Sequence, residues 1–134
     1  MGLDMYLQGH QYFSNRTQTI DDFPIKEIIV ELGYWRKHAN LHGAIVQTFA
    51  DGEDNCEPVE LNKDDIVKLI EMVKTNQLPH TEGFFFGASA APDQSEWYAE
   101  EKQETIKQLE NALKWYDGDI VATGYRWVIY RASW

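Results

Sequence analysis

The segment Gly33-Tyr34-Trp35-Arg36-Lys37-His38-Ala39-Asn40-Leu41-His42 marks a change in the hydrophobic pattern of this chain. Residues 25–32, which precede it, contain a β-branched run that favours a strand. From Tyr34 onward the apolar side chains follow three-and-four spacing, at Trp35, Ala39, His42, Val46 and Phe49. That spacing predicts an amphipathic helix that starts within the segment and ends near Ala50.

Two further helices are predicted downstream. Asn62 and Asp65 have the spacing of a helix cap before an apolar stripe, and the helix stops before Pro79. A third helix begins after Pro92, where Asp93 and Glu96 have capping-box spacing, and runs to about residue 115. The chain therefore contains about three helices.

Strands are predicted near both ends of the chain. Leu3, Met5 and Leu7 alternate with more polar residues, and residues 120–130 are rich in Val, Ile, Tyr and Trp. Residues 14–24 are turn-rich and predict a loop, and Gly83–Gly87 predicts a short buried strand or tight loop. These patterns predict one α+β domain over residues 1–134, with a mainly antiparallel sheet that carries the helices on one face. The terminal strands are expected to pair in the middle of that sheet.

The charge of the chain is strongly acidic. Its 134 residues include 22 Asp or Glu and 12 Lys or Arg, for a formal net charge of -10. Such a chain repels phosphates, which disfavours direct binding of nucleic acid. The chain has no apolar run long enough to span a membrane, and its N-terminus lacks the features of a signal peptide. We therefore expect a cytoplasmic protein that binds no membrane.

The acidic residues are concentrated in two groups. The first group comprises Asp51, Glu53, Asp54, Glu57, Glu60, Asp64 and Asp65, and the second comprises Asp93, Glu96, Glu100, Glu101 and Glu104. One interpretation is a solvated face that keeps the protein in solution. The other is a surface that docks on the basic surface of another protein.

A candidate ligand site lies in the segment that begins at Gly33. Its members are Tyr34, Trp35, Arg36, Lys37, Asn40 and His42, with Phe85 of the Phe84–Phe86 run as an apolar wall. The aromatic rings suit a planar ligand, and the two cations with the free N–H groups of a helix start suit a small anionic group. The alternative interpretation places Trp35 in the core, with Arg36 and Lys37 exposed.

The sequence contains no recognised catalytic, metal or cofactor motif. His42 is predicted to be a core histidine with Asp4 or Asn40 as its hydrogen-bond partner, or else a general base. The spacing of His38 and His42 alone does not define a metal site. Cys56 has acidic neighbours and is predicted to be unreactive. These features favour a binding protein over an enzyme.

Several motifs together resemble a family of small proteins encoded by bacteriophages and prophages. They are MGLDMYL (1–7), GYWRK (33–37) with Asn40 and His42, GFFFG (83–87), EWY (96–98) and ASW (132–134). The resemblance implies a phage setting. Small acidic phage proteins without catalytic motifs include inhibitors of host defence, such as anti-CRISPR proteins. We therefore expect an accessory protein that inhibits a host protein through its acidic surfaces, and the alternative is a binder or enzyme for a nucleotide-like small molecule at residues 34–42.

Overall fold

A computed structural model describes residues 3–14, 16–79, 82–83, 87–88, 95–118 and 124–133, and side chains in all of these except 82–83, 87–88, 95–98 and 124. The elements in chain order are β1 (Asp4–Phe13), β2 (Thr19–Ile20), β3 (Phe23–Pro24), β4 (Glu27–Arg36), α1 (Ala39–Phe49), β5 (Val59–Leu61), α2 (Lys63–Lys74), β6 (Glu82–Gly83), β7 (Gly87–Ala88), α3 (Ser95–Asp117) and β8 (Gly124–Ser133). The predicted α+β class is confirmed.

The main sheet has the strand order β4-β1-β8-β5, and every neighbouring pair is antiparallel. The first and last strands, β1 and β8, pair over their whole length from Asp4↔Ser133 to Phe13↔Gly124. They occupy the middle of the sheet, as the sequence predicts. Side chains that are directly paired point to the same side of a sheet, so the register fixes two distinct faces.

The inner face of the sheet carries the helices. Along β1 the odd-numbered side chains, among them Met5 and Leu7, are fully buried beneath the helices. Gly9 continues this row, and a Cβ atom there would lie 2.8 Å from the indole of Trp115. The missing side chain lets the end of α3 lie directly on the strand, and the Trp115 indole donates a hydrogen bond to the His10 carbonyl at 3.2 Å.

Helix α2 forms where its local signals predict. The Asn62 side chain accepts a hydrogen bond from the Asp65 N–H, and the Asp65 carboxylate accepts one from the Asn62 N–H. This reciprocal capping box satisfies two N–H groups that the helix itself leaves unpaired. Asp65 of the first acidic group is thus a capping residue. The predicted third helix is confirmed as α3, while Asp93 lies outside the described residues.

The predicted start of the first helix is wrong. Tyr34, Trp35 and Arg36 belong to β4, where they pair with β1 at Tyr6, Met5 and Asp4 respectively. Lys37 then takes a left-handed conformation, with φ of 60°, and turns the chain out of the sheet.

The helix begins only after this turn. The His38 side chain caps α1 by accepting a hydrogen bond from the Leu41 N–H at 3.4 Å. Trp35 therefore does not share a helical stripe with Ala39 and His42. The predicted end of the helix near Ala50 is confirmed, since α1 ends at Phe49.

The predicted loop over residues 14–24 contains a small hairpin. Strands β2 and β3 pair at Thr19↔Pro24 and Ile20↔Phe23. Asp21 and Asp22 connect them with φ of 51° and 69°. Positive φ at both central residues is the geometry of a type I′ turn, which matches the twist of a hairpin. In the Gly83–Gly87 segment, β6 and β7 pair with each other, while Phe84–Phe86 lie outside the described residues.

Candidate functional site

A cleft of about 370 Å³ opens where the end of β4 meets the first half of α3. Its described lining consists of Tyr34, Trp35, Arg36, His38, Glu100, Glu101, Glu104 and Gln108. Helix α3 is fixed along this strand edge because the Gln108 side-chain oxygen accepts a hydrogen bond from the Tyr34 N–H at 2.6 Å. The Asn111 amide donates another to the Leu32 carbonyl at 3.0 Å. The cleft thus joins part of the predicted ligand segment to part of the second acidic group.

Carboxylates dominate the charge of the cleft. Arg36 supplies positive charge to the described lining, but its guanidinium is ion-paired with Asp4 at 3.5 Å. The Tyr34 hydroxyl donates a hydrogen bond to the same Asp4 carboxylate at 2.5 Å, and this bond raises the pKa of Tyr34. The remaining charged side chains of the described lining, apart from His38, are the glutamates of α3. The cleft therefore suits a cationic group better than the anionic group that the sequence predicts.

A buried imidazole and a half-buried carboxyl group meet in the cleft. The His38 Nδ1 atom lies 3.6 Å from Glu101 Oε1. Burial lowers the pKa of His38 to about 4, so the imidazole is neutral at pH 7, and burial raises the pKa of Glu101. Shifted pKa values inside a cleft are found at functional sites and also in buried structural pairs.

Within the cleft, Trp35 is a wall rather than an exposed stacking surface. Its side chain is 6 % exposed, and the indole N–H donates a hydrogen bond to the buried Thr105 hydroxyl at 3.2 Å. Tyr34 stays partly exposed beside Tyr6, with ring centroids 5.3 Å apart. Of the two aromatic rings that were predicted to bind a ligand, Tyr34 is thus the accessible one.

The other predicted ligand residues do not line the cleft. Lys37 is exposed and its N–H donates to the Leu3 carbonyl at 2.7 Å, and Asn40 is half-buried in the first turn of α1. Phe85 lies outside the described residues. His42 belongs to a separate buried network, where a cavity of about 10 Å³ lies against it.

His42 is held between two partners that the sequence did not indicate. Its Nδ1 atom lies 2.6 Å from the Tyr130 hydroxyl and its Nε2 atom 2.8 Å from Asp54 Oδ1. The predicted partners Asp4 and Asn40 are therefore wrong. A carboxylate can only accept, so Nε2 carries the proton and Nδ1 accepts from Tyr130.

This network supports a structural role for His42. Burial and the nearby charge of Asp54 raise the pKa of Tyr130, which keeps its hydroxyl protonated. Both imidazole nitrogens are engaged, and Asp54 ties residues 51–58 to the core through them. Cys56 lines the same small cavity and is exposed.

The first acidic group surrounds a shallow depression of about 330 Å³. Asp51, Glu53, Glu57 and Glu60 contribute to its lining. All four are exposed, as is Asp64 in the first turn of α2. In the second group, Glu96 lies in the first turns of α3, with a side chain outside the described residues. The described carboxylates form an open acidic surface, and the pairing of Glu60 with Ile129 places the Glu60 side chain on the face of the sheet opposite the helices.

The outer face of the sheet, opposite the helices, carries a group of aromatic side chains that the local sequence patterns did not predict. Paired side chains there include Tyr12 with Tyr125, and His10 with both Ile29 and Trp127. The Tyr125 and Trp127 rings stack with centroids 5.0 Å apart, and His10 stacks on Trp127 at 5.3 Å. The signal was present as aromatic residues at every second position near the end of the chain. We call Tyr12, Ile29, Tyr125 and Trp127 the apolar patch.

The part of the chain that the structure describes holds no group of three His, Cys, Asp or Glu side chains placed to bind a metal ion. Within the same residues, no helix combines the length and the apolar character needed to cross a membrane.

Comparison of the chain with protein family models, with curated protein sequences and with solved structures finds no match. What the protein does must therefore follow from the cleft, the acidic surface, the buried network and the outer face.

Proposed function

We propose that this chain is a phage accessory protein that binds and inhibits a host protein by docking on its basic surface. One observation carries the proposal. Glutamates of the second acidic group line a cleft together with Tyr34 and Arg36 of the conspicuous GYWRK motif. Part of the acidic surface and part of the predicted aromatic site, which are separate in the sequence, thus line the same cleft.

The carboxylates of the two acidic groups can form charge pairs with a basic partner. Among the described side chains, Asp54 is hydrogen-bonded to His42, and Glu101 lies beside the neutral imidazole of His38. No described carboxylate of either group is paired with a lysine or arginine. Bringing a basic surface to these carboxylates would replace their interaction with solvent by charge pairs and would speed encounter.

The cleft gives this attraction a defined docking point. A lysine or arginine of the partner could enter beside Glu100 and Glu104 and pair with their carboxylates. Charged pairs at a rim chiefly raise the association rate and are screened within about 8 Å at physiological ionic strength. The complex is therefore expected to weaken with salt.

The phage setting is supported by the sequence resemblance, and the inhibitory role by the small size and acidic charge of a chain without catalytic motifs. The motifs that carry the resemblance include GYWRK, which forms one wall of the cleft. An inhibitor of host defence needs a surface that competes for a basic groove. An acidic cleft of this kind meets that need without any catalytic group.

The proposal is tested by capture from the extract of a phage-infected host. The immobilised chain should retain a specific host protein at about 0.15 M NaCl and lose most of it at about 0.5 M, since screening shortens the range of the charges. The double variant Glu100→Gln/Glu104→Gln should lose the same protein at the lower salt concentration. The recovered protein is then assayed for loss of its activity on addition of the chain.

A matched control is Glu71→Gln/Glu110→Gln, which removes two exposed carboxylates from α2 and α3 that do not line the cleft. It should retain the host protein as the parent chain does. Equal retention by the cleft variant and the parent chain, or retention that does not change with salt, contradicts docking at the cleft.

A small-molecule binder is the second candidate function. Its supporting observation is the cleft volume, which falls in the range of about 300–1,000 Å³ found for ligand sites. The charge of the lining favours a cationic ligand with a planar part over a nucleotide. Native mass spectrometry separates the candidates, because a small adduct that is lost on refolding supports a ligand and a co-purifying host protein supports the inhibitor.

A further inference from the structure

We propose that the outer face of the sheet binds a second copy of this chain and forms a symmetric dimer. The proposal concerns the side of the molecule opposite the helices and does not depend on the proposed function. It rests on where the exposed apolar side chains lie and on how charge is divided between the two layers.

Large exposed apolar side chains are concentrated on this side. Tyr125 is 58 % exposed, Ile29 57 % and Tyr12 36 %, and all three point outward from neighbouring strands. At the same end of the sheet, the β2–β3 hairpin exposes 65 % of Ile20 and 75 % of Phe23. A two-stranded hairpin is only marginally stable by itself, so burial of these side chains against a partner would stabilise it.

The exposed apolar area of the outer face approaches what a dimer needs. A whole aromatic side chain buries roughly 150–250 Å², so the exposed parts of Tyr12, Tyr34 and Tyr125, which the strand register places on this face, amount to about 270 Å². Ile29 and the partly exposed Trp127 bring it toward the roughly 500 Å² of apolar surface in a homodimer face of about 800 Å² per copy.

The division of charge favours a second copy as the occupant. Residues 3–37 and 124–133, which form the three long strands and the hairpin, contain six Lys or Arg and five Asp or Glu. Residues 38–123 contain six Lys or Arg and 17 Asp or Glu. The sheet layer is thus close to neutral in a chain of net charge -10, while the helical part of the sequence carries the excess.

Two copies can therefore meet through their sheets without strong repulsion. Packed sheets lie about 10 Å apart, and the acidic helical layers would be on opposite outer sides, separated by more than the Debye length of about 8 Å. In a two-fold symmetric dimer the same surface of each copy faces the other, so basic residues of one sheet layer can pair with acidic residues of the other. The glutamates of the cleft belong to α3 and remain on the helical side of each copy.

Sedimentation velocity tests the proposal, with protein at about 5 to 200 μM in 0.15 M NaCl. The parent chain is expected to sediment with twice the monomer mass in the upper part of this range. Ile29→Lys places a charge in the proposed interface and should raise the dimer dissociation constant at least about tenfold. The matched control is Val67→Lys, which changes a 50 % exposed β-branched residue on α2 and should leave the constant unchanged.

Far-UV circular dichroism establishes that the variants are folded, and Tyr125→Lys serves in place of Ile29→Lys if the latter is not. A parent chain that stays monomeric at 200 μM, or a dimer that Ile29→Lys and Val67→Lys weaken equally, overturns the proposal. The monomeric result would leave the outer face to a different protein. Salt at about 0.5 M should not dissociate this dimer, in contrast to the complex at the cleft, so each proposal can fail separately.

Discussion

At the scale of a single residue, His38 makes the stability of the fold depend on pH. Its imidazole caps α1 and lines the cleft, and burial lowers its pKa to about 4 from an ordinary value of 6.5. Between these values the unfolded chain binds the proton and the folded chain does not. The free energy of unfolding therefore has its full value above pH 6.5 and falls as the pH drops toward 4, and His38 accounts for up to about 3 kcal/mol of that fall.

Urea unfolding between pH 7 and 4 measures the effect, and His38→Asn isolates it. Asparagine keeps a capping oxygen but does not titrate, so the variant should lose the part of the pH dependence that His38 supplies. The raised pKa of Glu101 acts in the opposite direction near the acidic end of the range and is present in both proteins. Parallel pH profiles for the parent chain and the variant would show that His38 is not the titrating group.

At the scale of secondary-structure elements, contact between α3 and β1 depends on Gly9. The β-carbon of Gly9→Ala would lie 2.8 Å from the Trp115 indole, which is also held by its hydrogen bond to the His10 carbonyl. Arg126 also stacks on the Trp115 ring, 4.0 Å from its centroid, and so restricts the movement of the indole. We expect Gly9→Ala to lower the free energy of unfolding by about 1–3 kcal/mol, measured by urea denaturation.

A double-mutant cycle identifies the cause of that loss. In a Trp115→Leu background the indole is absent, and Gly9→Ala should cost much less because the new methyl group has room. The same cost in both backgrounds would mean that the loss comes from the strand and not from its contact with α3.

The elements that the sequence predicts well are those with local signals. Helix α2 follows from Asn62, Asp65 and an apolar stripe within about twelve residues, and β1 follows from strict alternation. The start of α1 was mistaken because the strand character of Tyr34 and Trp35 comes from pairing with β1, about 30 residues earlier. Aromatic residues fit either structure, so local spacing could not decide between them.

The candidate site was only half predictable for a similar reason. The sequence marked residues 34–36 and also Glu100–Glu104, but nothing local shows that they meet across a strand edge. The partners of His42 lie 12 and 88 residues away along the chain. The outer face needed knowledge of which side of the sheet the helices cover, which depends on the whole fold.

At the scale of the whole molecule, the division of charge predicts how salt affects stability. The helical part of the sequence, residues 38–123, has 17 acidic and six basic residues, and its carboxylates are closer together when folded than when unfolded. Raising NaCl from about 0.02 to 0.3 M shortens the Debye length and screens this repulsion. The free energy of unfolding should therefore rise with salt, as measured in urea at a fixed protein concentration, since urea itself adds no ions.

The location of the repulsion is tested by removing charges in matched pairs. Glu100→Gln/Glu104→Gln takes two carboxylates from the acidic side and should reduce the stabilisation by salt. Asp22→Asn/Glu31→Gln takes two from the nearly neutral sheet layer and should leave that stabilisation almost unchanged. If both pairs reduce it equally, the repulsion depends on net charge alone, and the separation of an acidic helical layer from a neutral sheet has no energetic consequence for folding. If only Glu100→Gln/Glu104→Gln reduces the stabilisation by salt, the repulsion lies in the acidic helical layer. The uneven division of charge that favours dimerisation through the sheet then also lowers the stability of the helical layer at low salt.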